Sequence, residues 1–285
     1  MLKKFLILTT MLLLAHTTAA QPVQFLRFVD GDEQWQGKLE TAIARYENAE
    51  GQRVDLIAAV HIADRHYYDQ LNKYFDTLED VLYELVLDEE PVAGVATNAR
   101  GSSPLSMIQT MLAAYLDIDF QLDAIDYTRA NFRHADLSVA ELAQIMAAKD
   151  ESFFSMFMSM AMAQMAAEQQ AIADNQIAPS AFTLMTLLNA LSGENQAQAI
   201  KYLIAAELGR SGGLSLTPQI EAELTILGDR NAVALEVLGS TLKEGSKDIG
   251  LFYGAAHMAG FDRALREDLG FELVSQRWLA AWTIP

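Results

Sequence analysis

The sequence predicts an α/β protein: two βαβ-type units forming a mostly parallel sheet, with a large helical insertion between them. Three observations carry this expectation. Val54-Asp55-Leu56-Ile57-Ala58-Ala59-Val60 and Val81-Leu82-Tyr83-Glu84-Leu85-Val86-Leu87 are nearly continuous apolar runs, the pattern of strands buried on both faces. Ile249-Gly250-Leu251-Phe252-Tyr253 is a third such run, far along the chain. Between them, roughly residues 101–245 are mostly helical in pattern.

Taken in order, residues 1–20 read as a secretory signal peptide. Lys3 and Lys4 form a basic start, Phe5 to Ala15 is apolar apart from Thr9 and Thr10, and Thr18-Ala19-Ala20 precedes a cut at Gln21. The apolar run is about half of the roughly 20 residues a membrane span needs. The expectation is cleavage, export to the periplasm or the medium, and no stable membrane insertion afterwards. His16 leaves with the leader. Residues 21–100 then hold an N-terminal β-hairpin and the first βαβ unit. Leu39, Thr41, Ile43 and Arg45 alternate with Glu40, Ala42, Ala44 and Tyr46, a strand period, and Asn48-Ala49-Glu50-Gly51 is a turn signal. Asp64 is a candidate cap for a helix carrying Tyr67, Leu71, Tyr74, Phe75 and Leu78 at helical spacing.

Residues 101–210 read as a Met/Ala-rich helical cap. Ser152 to Ala167 carries no charge, and Phe154, Met158, Met162 and Met165 share one helical face. That face suits the buried side of a cap helix, or a soft groove for an apolar or peptide ligand. Residues 211–285 complete the α/β domain. Ser211-Gly212-Gly213 marks a loop, and Thr217-Pro218 starts a helix running to about Lys243. The second unit follows, with a helix over 258–269, Gly270 just past its end and a closing strand from Phe271 to Trp278.

Charge and composition exclude several functions. The chain has 285 residues, 51% hydrophobic, with 20 Lys and Arg against 38 Asp and Glu, a formal charge of −18. Without Lys3 and Lys4 it is −20. Such a surface repels phosphate backbones, so no nucleic-acid partner is expected. Cys is absent, which removes disulfides, thiolate metal sites and a Cys nucleophile. There is no Gly-x-Ser-x-Gly elbow, no phosphate-cradling Gly-x-x-x-x-Gly-Lys and no Gly-x-Gly-x-x-Gly after a strand.

The residues left to carry chemistry are few. His61 and His257 each follow a buried strand and precede a helix, where parallel sheets bind ligands. Each is a structural histidine or a ligand for a divalent metal such as Zn, Mn or Co. Glu84 lies within an apolar run and needs a cation, a metal or a hydrogen-bond network. It is a metal ligand, a general base, or half of a buried ion pair with Arg230. His66 reads as solvent-facing or at a pocket rim. His134 and Asp136, in the polar run Asn131-Phe132-Arg133-His134-Ala135-Asp136, line a cleft or cap a helix.

In this order, Ala58-Ala59-Val60-His61, Tyr83-Glu84-Leu85, Arg230-Asn231 and Gly254-Ala255-Ala256-His257 resemble the marks of the TraB/PrgY/GumN/Tiki family. That family carries two Gly-x-x-His motifs, a Glu on the following strand and an Arg-Asn pair in a late helix. The resemblance implies an α/β fold with a helical insertion and, for the Tiki members, a Mn- or Co-dependent peptidase. Carried over, it implies His61, His257 and Glu84 at the active site, with Arg230 supporting the Glu or a substrate carboxylate. The first motif departs from the pattern, with Ala58 where the family has Gly. The layout is more distantly similar to erythromycin esterases, which need no metal, and to haem-binding ChaN-like proteins.

The leading expectation is an exported hydrolase that cleaves a peptide or amide bond with metal-activated water. His66, Arg230, His134 and Asp136 are pocket candidates. The rivals are a non-catalytic protein that binds a peptide or small ligand in the same cleft, and a metal-free hydrolase with a His as general base.

Overall fold

The computed structural model describes residues 23–86, 116, 118–174, 183–193, 195–210 and 218–285. The expected leader and the loop at 211–213 lie outside the described residues.

Strand β1 (Leu26–Asp30) and strand β2 (Gly37–Glu47) form an antiparallel hairpin, with Leu26 opposite Thr41. The second half of β2 pairs with β3 (Arg53–Ala59), Ile43 opposite Ile57. A short pair, β4 (Ile62–Ala63) and β6 (Asp119–Phe120), stands apart from the main sheet. Beyond β3 the sheet continues through β8 (Asp248–Gly254), β5 (Asp80–Tyr83) and β7 (Phe132–His134), each parallel to its neighbour. Strand β9 (Glu272–Ile284) runs antiparallel along the whole of β2. A strand has two edges, so β1 and β3 share one edge of β2 and β9 takes the other. Among the described residues, β2 alone runs against the direction of the other strands in this sheet. The fold is α/β with a mostly parallel sheet, as the buried runs predict.

The βαβ units are real but interleaved. Helix α1 (Arg65–Phe75) connects β3 to β5, and β8 lies between those two strands. Helix α9 (Met258–Glu267) connects β8 to β9 across β3 and β2. Gly270 sits just beyond α9 with φ of 70°, the left-handed conformation its position predicts.

Alternating side chains build a core on each face of the sheet. Ile57, Val81, Tyr83 and Phe252 pack with Tyr67, Tyr68, Leu71 and Phe75 of α1. Leu56, Ala58, Leu82, Leu251 and Tyr253 pack with Met258, Phe261 and Leu265 of α9. Ala234 and Leu238, from the helix α8 (Arg230–Lys243), join that second core. The result is three layers, helix on sheet on helix.

The region between β5 and α8 holds α2 (Gln121–Ala124), α3 (Val139–Ala148), α4 (Phe153–Ala173), α5 (Leu184–Ser192), α6 (Gln196–Arg210) and α7 (Pro218–Glu223). Two expectations are corrected here. Met158, Met162 and Met165 are 41%, 66% and 60% exposed, so these three methionines are not buried, while the side chain of Phe154 lies outside those described. Met156 faces inward instead, packing with Leu137, Leu142, Leu224 and Leu227. The helix expected from Thr217-Pro218 to Lys243 is not continuous either: α7 stops at Glu223, and a π-helical turn (Thr225–Asp229) leads into α8. Among the described residues, no helix is long and apolar enough to cross a membrane.

Candidate functional site

The parallel strands β3, β8, β5 and β7 end together. Ala59 stands opposite Gly254, while Tyr83 stands opposite both Phe252 and His134. Residues just past these ends therefore collect at the carboxyl edge of the sheet, where open α/β sheets bind ligands.

Glu84 is the centre of this cluster. The strand expected to extend to Leu87 stops at Tyr83, so Glu84 is the first residue beyond it, not an interior strand residue. Its amide still donates to Phe252 O, 3.1 Å away. Its carboxylate is satisfied on both oxygens: Oε1 accepts from Arg230 at 2.8 Å, and Oε2 accepts from the Gly254 N–H at 2.6 Å. A methyl group on Gly254 would stand 3.2 Å from Oε2, so the glycine leaves the room this bond needs. Burial pushes the Glu84 carboxyl up, but Arg230, His257 and His61 outweigh it and hold it well below the usual carboxylate range.

Arg230 closes the ion pair from the other side. Its Nε and one terminal nitrogen donate to the two oxygens of Asp136 at 2.9 and 2.6 Å, a two-point clasp. The Asp136 side chain is fully buried, and that of Arg230 is 9% exposed. The cluster thus holds two carboxylates around one guanidinium. Arg230 is the first residue of α8, directly after the π-helical turn, an irregularity often found at functional sites.

His257 completes the group. It lies in a 3₁₀ turn (Ala255–His257) after β8 and is 3% exposed. Nε2 stands 3.5 Å from Glu84 Oε1, and Nδ1 stands 2.6 Å from Asn231 Oδ1. The orientation of the Asn231 amide follows from its other side, where Nδ2 donates to the Glu221 carboxylate at 3.1 Å. A carboxylate can only accept, so Asn231 presents its oxygen to His257. Nδ1 therefore carries a proton in either form of the ring, and Nε2 is the nitrogen that gains or loses one; when it is protonated it faces Glu84 Oε1 as an ion pair.

Of the predicted site residues, Glu84, Arg230, Asp136 and His257 are brought together. His61 is exposed on the turn after β3 and makes neither a hydrogen bond nor an ion pair with Glu84; its influence there is through charge alone. His66 is exposed on α1 and does not join the cluster. His134 and Asp136 do not bond each other. His134 Nε2 contacts Leu85 O at 2.6 Å, steadying the backbone next to Glu84, while Ser138 and Glu141 form the capping box of α3. Ala58 has no positive φ and its methyl lies in the core, so its departure from Gly imposes no backbone strain. Asn231 enters through the Arg-Asn pair, but Glu221 had no signal in the sequence. In a straight helix ten residues at 1.5 Å each place it about 15 Å along the axis from Asn231. The break at Leu224 brings them into contact.

The donor set was expected to hold a divalent ion. Glu84 Oε1 already meets a guanidinium, Oε2 already meets an amide, and His61 stands apart. Among the described residues no three His, Asp or Glu side chains are gathered for an ion. As arranged, the residues do not fit a resident metal: the position beside Glu84 that a cation takes belongs to Arg230.

Replacing Glu84 with Gln tests the electrostatics. A carboxyl held low in the fold contributes stability that is full above about pH 4.3, the ordinary glutamate value, and is lost as pH falls through its folded value. Urea unfolding of the Glu84→Gln variant between pH 6 and pH 3 is expected to show a shallower acid decline than the wild type. Equal slopes would remove Glu84 from the acid sensitivity.

No family model, curated protein or solved structure matches the chain, so what the cluster does is argued from its own geometry.

Proposed function

We propose that the protein is an exported hydrolase that activates water for attack on a peptide, amide or ester carbonyl, with His257 as general base. One observation carries this reading: an imidazole whose Nδ1 proton is held by Asn231, so that Nε2 is its proton-exchanging nitrogen, 3.5 Å from an ionised carboxylate at the carboxyl ends of parallel strands. In the proposed step, Nε2 takes a proton from water as the water oxygen bonds to the carbonyl carbon. The proton then passes from Nε2 to the departing nitrogen or oxygen as that bond breaks. Glu84 stabilises the imidazolium formed between these events, and Arg230 keeps Glu84 ionised and in place. The side chains of Glu84 and His257 are only 11% and 4% exposed, so water is restricted around the reacting pair.

The resemblance to the TraB/PrgY/GumN/Tiki family supports hydrolysis but implies a Mn- or Co-dependent peptidase. This is the second reading. The resemblance alone carries it. No step is derived through the ion, because Arg230 holds the place next to Glu84.

Hydrolysis of a mixed panel of peptides and small esters, with excess chelator and again with added Mn²⁺ or Co²⁺, separates the two. Turnover that persists in chelator is the expected result. Turnover only with added ion would move the chemistry to the metal-dependent form. Saturable ligand binding with no turnover under either condition would favour a binding protein in the same cleft.

A further inference from the structure

We propose that Glu221 is a positioning residue that sets the tautomer of His257 through the side-chain amide of Asn231. The inference deepens the hydrolase reading and rests on it for its functional consequence.

Glu221 lies on α7, outside every motif of the sequence, and is 5% exposed. A buried carboxylate requires partners. Oε2 accepts from Arg263 of α9 at 2.7 Å, and Oε1 accepts from Asn231 Nδ2 at 3.1 Å. The fold makes room for this contact. A methyl on Gly260 would stand 1.8 Å from Glu221 Oε1 and 2.5 Å from Asn231 Nδ2, so only glycine permits the carboxylate to reach the amide. Asn231 Nδ2 also points towards His257 O at 3.5 Å, a second acceptor on the same side. Both contacts turn the amide oxygen towards His257 Nδ1. The order of transmission is Arg263, Glu221, Asn231, His257, Glu84. Arg263 fixes which oxygen of Glu221 is free, Glu221 fixes the amide, and the amide fixes the ring proton. With Nδ1 so held, Nε2 is the nitrogen that exchanges a proton beside Glu84, and that is the end of the sequence.

Glu221→Gln is the revealing change because it keeps the shape and alters only the donor pattern. The new amide oxygen goes to the charged guanidinium of Arg263, the stronger partner. Its NH₂ then faces Asn231, whose amide turns over and offers Nδ2 to the ring. The imidazole proton moves to Nε2, and the base is lost.

The test is ¹⁵N NMR of the full chain with histidine ring nitrogens labelled, the His257 signals being identified by their loss in His257→Gln. In the neutral ring of the wild type, Nδ1 is expected protonated and Nε2 bare. In Glu221→Gln the pattern is expected to reverse and turnover to fall about 10²-fold or more, as for other tautomer losses. Adding Arg263→Met to Glu221→Gln frees the amide oxygen to face Asn231 again, and the wild-type pattern should return. A folded Glu221→Gln with the wild-type ring pattern overturns the proposal, as does a wild-type neutral ring protonated on Nε2. Should Glu221→Gln not fold, Glu221→Ala takes its place: a mixture of ring forms is expected, and an unchanged single form overturns the proposal. A ring that reverses in a protein with no hydrolytic turnover leaves the positioning role standing and removes the hydrolase reading instead.

Discussion

His257→Ala is expected to lower hydrolysis by about 10²–10⁴-fold, the range that a positioned general base contributes. The effect should fall on kcat, because the imidazole acts in the proton transfer and is not needed to hold the substrate in its ground state. The ring is packed between Tyr253 and Phe261, with centroids 5.2 and 6.2 Å away, so its removal also leaves a small cavity beside Asn231. His257→Gln is the companion variant. It fills most of that space but supplies no base, and it should lose turnover to the same extent while unfolding at nearly the wild-type urea concentration. Steady-state kinetics on the best substrate of the panel, with urea denaturation alongside, checks both. Near-wild-type kcat in a folded His257→Gln would displace His257 from the reaction.

The largest effect on stability is expected from Arg230. Met is close in length and leaves the aliphatic packing in place, yet Arg230→Met strands Glu84 and Asp136 at the same buried place with no cation between them. Removing one partner of a buried ion pair costs about 3–5 kcal/mol, because the remaining charge has neither water nor partner. Arg230→Lys should recover only part of this. An ammonium cannot clasp both oxygens of Asp136 and still reach Glu84 Oε1. Urea midpoints at neutral pH read the loss. The deficit in Arg230→Met should shrink on acidification, as the stranded carboxylates take up protons. A change below about 1 kcal/mol would show that the cluster is not the keystone its burial suggests.

The buried strands were legible because parallel strands covered on both faces are apolar at nearly every position, and β3 and β8 read in that way. The end of β5 was not legible for the same reason. Leu85 is buried in the core although it lies past the strand, so the apolar run outlasts the hydrogen-bonded ladder. The exposed Met face misled because a helix without charge carries no sign of which side meets water. At the site, Glu84 stood out as a carboxylate inside an apolar run and His257 as a polar residue just past the end of one. The Glu84–Arg230 pair was one of several partners that burial alone allowed. Asp136 looked like a helix cap, since the strand register that aims it at Arg230 is a long-range fact. Glu221 was hidden by the interrupted helix, which changes phase and rise between it and Asn231.

The strand order carries a consequence for how the chain reaches this state. Strand β8 begins at Asp248, and Arg53 at the start of β3 bonds it across a separation of 195 residues. Strand β5 touches β3 only through β8, so the early strands form two fragments with no mutual ladder until the late strand arrives. Closing so long a loop is slow, and folds dominated by distant contacts form late. Under the proposed export, in which the chain crosses a membrane before it folds, such a delay would be useful. The segment that completes the sheet also delivers Gly254 and His257, so the cluster around Glu84 stays incomplete until the last strands are placed.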